Sequence, residues 1–149
     1  MLKYMKVKLV RLIDKYNKNK ESNENSIVLI KSGIFYKTFN NDAYIVAHLC
    51  NYKINRLSNF VMVGFPENTI ENVKEKLLKE NVSFVIINED NRILSSKNKF
   101  IKSNYKVLLD RSCKLNNIEM EIERIKSTLD ILKGTNSIEN IISKIKEII

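Results

Sequence analysis

Glycine, proline, cysteine, histidine and tryptophan are all scarce here: three Gly, one Pro, two Cys, one His and no Trp in 149 residues. So little glycine and proline excludes collagen-like and low-complexity classes and leaves few sharp turns. Cys50 and Cys113 lie far apart without metal-type spacing, and His48 has no second histidine, so neither a disulfide framework nor a Cys/His zinc site is expected. No apolar run approaches the roughly 20 residues that span a bilayer, so no membrane partner is expected. The opening MLKYMKVKLVRLIDKY mixes lysine with apolar residues, unlike the basic stub and apolar core of a secretory signal. Cytoplasmic residence is the expectation. P-loop, dinucleotide-binding and HExxH motifs are all missing. Asp42 and His48 stand too far round one expected helix to pair catalytically. The chain is expected not to be an enzyme, with no cofactor and no metal.

What the chain does have is positive charge, a net +9. It is unevenly placed. Residues 1–60 hold 11 Lys/Arg against 4 Asp/Glu, a net +7, while 61–110 and 111–149 each carry +1. A basic segment beside nearly neutral ones is the electrostatic footprint of a nucleic-acid face. A solvated lysine-rich surface is the alternative, and the abundance of Lys, Asn and Ile fits AT-rich coding.

Hydrophobic spacing lays out the elements. Leu2, Met5, Leu9, Leu12, Ile13 and Tyr16 mark an amphipathic helix over residues 2–18, and the polar stretch 17–26 reads as a loop. Asn40, Asn41 and Asp42 supply N-cap chemistry for a helix through Cys50. Residues 52–57 and 60–65 read as strands, the second closed by Gly64-Phe65-Pro66. A helix follows from Asn68 or Thr69, with Ile70, Val73, Leu77 and Leu78 as its stripe. Residues 82–87 read as a buried strand, 92–95 as a weak edge strand, and Phe100 and Ile101 as anchors in a polar stretch. The expected class is α/β (α+β), a mixed sheet flanked by helices.

From Tyr105 the pattern is helical. Leu115, Ile118, Ile122, Ile125, Leu129 and Leu132 follow 3-4-3-4-3 spacing, a coiled-coil seam, with Asn116 and Glu119 resembling a capping pair. Lys133-Gly134-Thr135-Asn136 breaks the helix, and a second stripe runs through Ile138, Ile141, Ile145 and Ile148. A helical hairpin docked on the domain and a surface for self-association or a partner protein both fit.

The organising stretch is Ile27 to Phe39, two apolar runs hinged at Gly33, where glycine permits a tight turn. A period of two puts Phe35, Lys37 and Phe39 on one face. Either this is a core strand whose lysine snorkels, or Phe35 is an exposed aromatic beside a cation.

In order and spacing, these pieces resemble the N-terminal mismatch-recognition domain of the MutS family. The residues that carry the likeness are Val28–Lys31, Gly33-Ile34-Phe35-Tyr36-Lys37-Thr38-Phe39, Asp42-Ala43, Met62-Val63-Gly64-Phe65-Pro66 and Ser83–Ile87. The resemblance covers residues 1–95, which sets an expected α/β domain there and a linker with C-terminal helices over 96–149. It implies a duplex-binding edge on which Phe35 takes the place of a phenylalanine that wedges beside a mispaired or unpaired base. Wedging costs roughly a few kcal/mol of unstacking, less where pairing is already lost. The residues expected at the duplex are Phe35, Lys37, Lys31, Gly33 and Met62. Two departures follow. Lys37 replaces the motif's glutamate, and Ile34 replaces an aspartate, which should raise non-specific affinity and blunt discrimination. With 149 residues, no ATPase part is expected. The expected partner is double-stranded DNA, mismatched, bulged or distorted, or an RNA–DNA hybrid. The alternative is an accessory adaptor for a reverse transcriptase or another nucleic-acid enzyme, joined through the C-terminal helices.

Overall fold

The computed structural model describes residues 1–97, 103–133 and 137–148. The anchors expected at Phe100 and Ile101 and the break at Gly134–Asn136 lie outside them, as does the side chain of Ile138. The chain forms two compact units, Met1–Cys113 and Lys114–Ile149.

The first unit is built on a six-stranded mixed sheet in the order β3-β4-β2-β1-β5-β6. Its centre is β1 (Ser26–Ser32) beside β5 (Ser83–Ile87), the one parallel pair among the described strands. A strand covered on both faces must be apolar in both parities. Both fit: Ile27–Ile30 have no exposed surface, and all five residues of β5 are buried. Outward from β1 come β2 (Phe35–Phe39), β4 (Val61–Pro66) and β3 (Asn55–Arg56), all antiparallel. On the other side β6 (Ile93–Lys97) forms the edge.

Helices cover both faces. On one, α1 (Leu2–Glu21) lays Leu12 and Tyr16 over Val28, Ile30, Phe39, Val85 and Ile87. On the other, α2 (Asn40–Cys50), α3 (Ile70–Lys79) and the first turn of α4 (Tyr105–Leu132) cover Ile27, Leu29, Tyr36, Phe65, Phe84 and Ile86. The expected mixed sheet flanked by helices is therefore the fold. The residue-95 boundary drawn from the sequence falls inside β6, and Tyr105 and Leu108 belong to this unit's core.

Several local expectations need correction. The loop assigned to 17–26 is helical through Glu21, because Lys20 is anchored from the far side: its Nζ donates to Asp42 Oδ1 at 2.7 Å and to the Ser26 carbonyl at 2.6 Å. Asp42 does not cap α2. Phe39 holds the N-cap position without a side-chain bond, and Asp42 is fully buried, accepting also from Val28 N at 2.8 Å and the Tyr105 hydroxyl at 2.5 Å. The strand drawn over 52–57 shrinks to Asn55–Arg56. Asn116 is not a helix start: it lies mid-α4, where its Nδ2 donates to Met120 Sδ.

Glycine's scarcity is met by asparagine. Asn40, Asn51, Asn81 and Asn91 all take positive φ, a conformation asparagine tolerates better than most side chains. Asn51 closes α2 and Asn81 follows α3.

The second unit contains the rest of α4 and α5 (Ser137–Ile148). Among its described residues, Leu115, Ile118, Ile122, Ile125 and Leu129 remain exposed, as do Ile142, Ile145 and Ile148.

Candidate nucleic-acid interface

The site forms where β1 turns into β2. Ser32 pairs with Phe35, leaving Gly33 and Ile34 as a two-residue loop. Gly33 has φ of +62° and Ile34 is not among the positive-φ residues, the pattern of a II′ turn. A Cβ on Gly33 would meet nothing within 4 Å, so glycine is needed there for its backbone angle and not for space. The turn is tied down by Glu67 N, which donates to the Ile34 carbonyl at 2.9 Å.

Along β2 the Phe35–Lys37–Phe39 face divides. Phe39 is wholly buried under α1, its ring 5.5 Å from Tyr16 and 5.8 Å from Phe60 between centroids. Phe35, four residues back, is 43% exposed. Lys37 lies between them, half-buried, directly across from Gly64 of β4. Its Cγ lies 3.8 Å from where a Gly64 side chain would begin, so the missing side chain leaves a shelf for the lysine stem. Met62, partner of Phe39 in the register, is half-buried and packs on the α1-side core.

Two expected residues sit elsewhere. Lys31 projects from the opposite face to Ser32 and Phe35, and its ammonium pairs with Glu67 at 2.7 Å. That bond holds the Lys31 pKa above the usual lysine value. Gly33 shapes the turn.

The sequence reading missed three neighbours. Glu89, just past β5, accepts from Ser32 Oγ at 2.6 Å and from Lys8 Nζ of α1 at 3.1 Å. The Ser32 hydrogen bond, and then Lys8, hold its carboxyl below the usual range. Lys37 is pushed below the usual lysine value by desolvation first and then by Lys8, with Glu89 opposing. Phe35, Lys37, Lys8, Ser32 and Glu89 thus share one end of the α1-side face. Glu89 stood in Asn88-Glu89-Asp90, which marks a strand end in sequence; only the parallel β1–β5 register brings that end beside Ser32.

Chemically, the arrangement offers a partly exposed aromatic ring, a half-buried cation beside it, and further exposed cations on α1 at Lys3, Lys6, Lys8 and Arg11. An aromatic face suits base stacking, and ammonium or guanidinium groups suit phosphates. Among the described residues no cluster of His, Cys, Asp and Glu could hold a metal ion. None of the described helices is long and apolar enough to cross a membrane.

The fold and this site define a small mixed-sheet α/β module with an aromatic and basic sheet end. Residues 10–117 match the family model for MutS domain I, and the chain belongs to that family. It is similar to the DNA mismatch repair protein MutS of Thermotoga petrophila, at 29% identity over 83 residues, covering 56% of this chain and 10% of that protein. The MutS protein of Thermosipho melanesiensis is 29% identical over 79 residues, 53% of this chain and 10% of its own length. The chain thus spans about a tenth of the length of the curated relatives it matches.

Proposed function

We propose that this protein is a duplex-binding module that grips distorted DNA, with Phe35 as the wedge and Lys37, Lys8 and the cations of α1 as backbone contacts. The observation that carries the reading is Phe35: a large aromatic left partly exposed at the end of a central strand, beside cations, in a member of the MutS domain I family. An aromatic inserted at a base step unstacks it, and a mismatch or bulge lowers that cost. Met62 supports the Phe39 end of the same face, and Gly33 sets the turn that presents Phe35. Lys31, on the opposite face and paired with Glu67, is at most a peripheral phosphate contact. The module acts by binding, with no catalytic step of its own, in the cytoplasm. With Lys37 in the motif's glutamate position, selectivity between matched and mismatched duplexes is modest.

Fluorescence anisotropy with matched, mismatched and bulged DNA duplexes and an RNA–DNA hybrid tests this at low salt. Distorted duplexes should bind more tightly than matched ones, and Phe35→Ala should remove that difference. Because Phe35 is partly exposed, the same change should lower stability by under about 2 kcal/mol, against about 3–5 kcal/mol for a core ring such as Phe39. Equal, negligible binding of every duplex sinks the proposal.

A second reading, an adaptor that self-associates or recruits a nucleic-acid enzyme such as a reverse transcriptase, is favoured by the exposed apolar seam of α4.

A further inference from the structure

The seam of α4 has two properties that together point to its occupant. First, it is uncovered although α5 belongs to the same chain: Ile118 is 56% exposed and Ile125 53%, with Ile122 and Leu129 exposed between and beyond them. Second, the residues flanking it carry a charge pattern. With Leu115, Ile122 and Leu129 at a, and Ile118, Ile125 and Leu132 at d, the g positions are Lys114, Glu121 and Thr128 and the e positions are Glu119, Lys126 and Lys133. In a parallel, in-register coiled coil each g residue faces the e residue five positions on in the other strand. Lys114 then meets Glu119, and Glu121 meets Lys126, each twice by symmetry, while Thr128 opposite Lys133 is neutral. In an antiparallel pair, e faces e and g faces g; with the whole seam overlapped, Lys126 faces Lys126 and Glu121 faces Glu121, like-charge contacts that offset the attractive Glu119–Lys133 pairs. The pattern therefore favours the parallel arrangement.

We infer that α4 is a self-association helix whose seam is covered by the same seam of a second copy of this chain, parallel and in register. This deepens the self-association reading above and is independent of duplex binding. The seam from Leu115 to Leu132 runs about 27 Å, enough for six core layers. Glu121 already lies 3.6 Å from Arg124 on its own helix, but both are well exposed, and such a surface pair is easily exchanged for an interchain one. Leucine at two of the three a positions and isoleucine at two of the three d positions also accommodate a third or fourth strand, and the charge pattern serves each of these alike.

Sedimentation equilibrium of the full chain without nucleic acid tests this, so its failure leaves the duplex-binding proposal standing. Mass should rise with concentration to twice the chain mass or a higher whole multiple. Glu121→Lys and Lys126→Glu should each weaken association about tenfold by turning attractive contacts into repulsive ones. An equimolar mixture of the two variants should regain wild-type association, because each variant's altered charge meets its complement in the other. Both positions are exposed, and circular dichroism should show unchanged helix content. A monomer at every concentration overturns the inference, including the case in which α5 closes over the seam within one chain. Association indifferent to either change overturns the parallel register.

Discussion

Glu89 and Lys37 occupy one end of the sheet with opposite charges, and Lys8 bears on both. Glu89 is held ionised by Ser32 and Lys8, so its folded pKa lies below its unfolded value. A depressed carboxyl contributes stability that is present above the unfolded pKa and lost as pH falls through the folded one. Glu89→Gln should therefore leave stability near neutrality little changed, since the group is substantially exposed, and flatten the loss of melting temperature below about pH 4. Thermal melts of both proteins across the acid range check this. At Lys37 the family motif can be restored. Lys37→Glu should weaken binding to matched duplex, sharpen preference for mismatches, and reduce the slope of log affinity against log salt by about 1. Phe35 and Phe39 show how far residue-level reading reached: alternation put both on one face, and the position of Tyr16 and Leu12 on α1 decided which ring is covered.

At the scale of elements, Asp42 ties four of them together. Its carboxylate, at the start of α2, accepts from Lys20 of α1, the Val28 amide of β1 and the Tyr105 hydroxyl of α4, while the Lys20 ammonium lies 4.2 Å from the centroid of the Tyr105 ring. Burial pushes the Asp42 carboxyl up and the Lys20 ammonium down, and their pairing opposes both shifts. Breaking one side of such a pair leaves the other charge buried without compensation. Asp42→Asn should cost about 3–5 kcal/mol by urea unfolding and fray the last turn of α1, seen as faster amide exchange near Lys20. The sequence presented this residue as a cap, because Asx residues before an apolar helix usually are. Its partners lie 14 to 63 positions away in sequence, beyond any local rule.

For the whole molecule, charge and architecture divide the work. The net charge of residues 1–60 is concentrated on α1 and its surroundings, and α1 covers the sheet face whose end carries Phe35 and Lys37. If that face engages a duplex, affinity must fall steeply with salt, each phosphate contact contributing about −0.9 to the slope of log affinity against log salt. A titration series at increasing salt should give a slope between about −3 and −6 for the wild-type chain. A flat response would remove phosphate contacts from the mechanism. The α4 seam is read by its own measurement.

The sequence alone determined the order of elements, the apolar central strands, the Gly33 turn, the seam of α4 and the family. Each of these is written in local periodicity or in a short motif, where chemistry a few residues apart is enough. Tertiary structure decided the rest. It chose Phe39 over Phe35 for burial, set Lys31 on the face opposite Lys37, made Asp42 a buried junction instead of a cap, and brought Glu89 beside Ser32. Those outcomes depend on strand register and on where α1 lies over the sheet, which are fixed by packing between segments far apart in the chain.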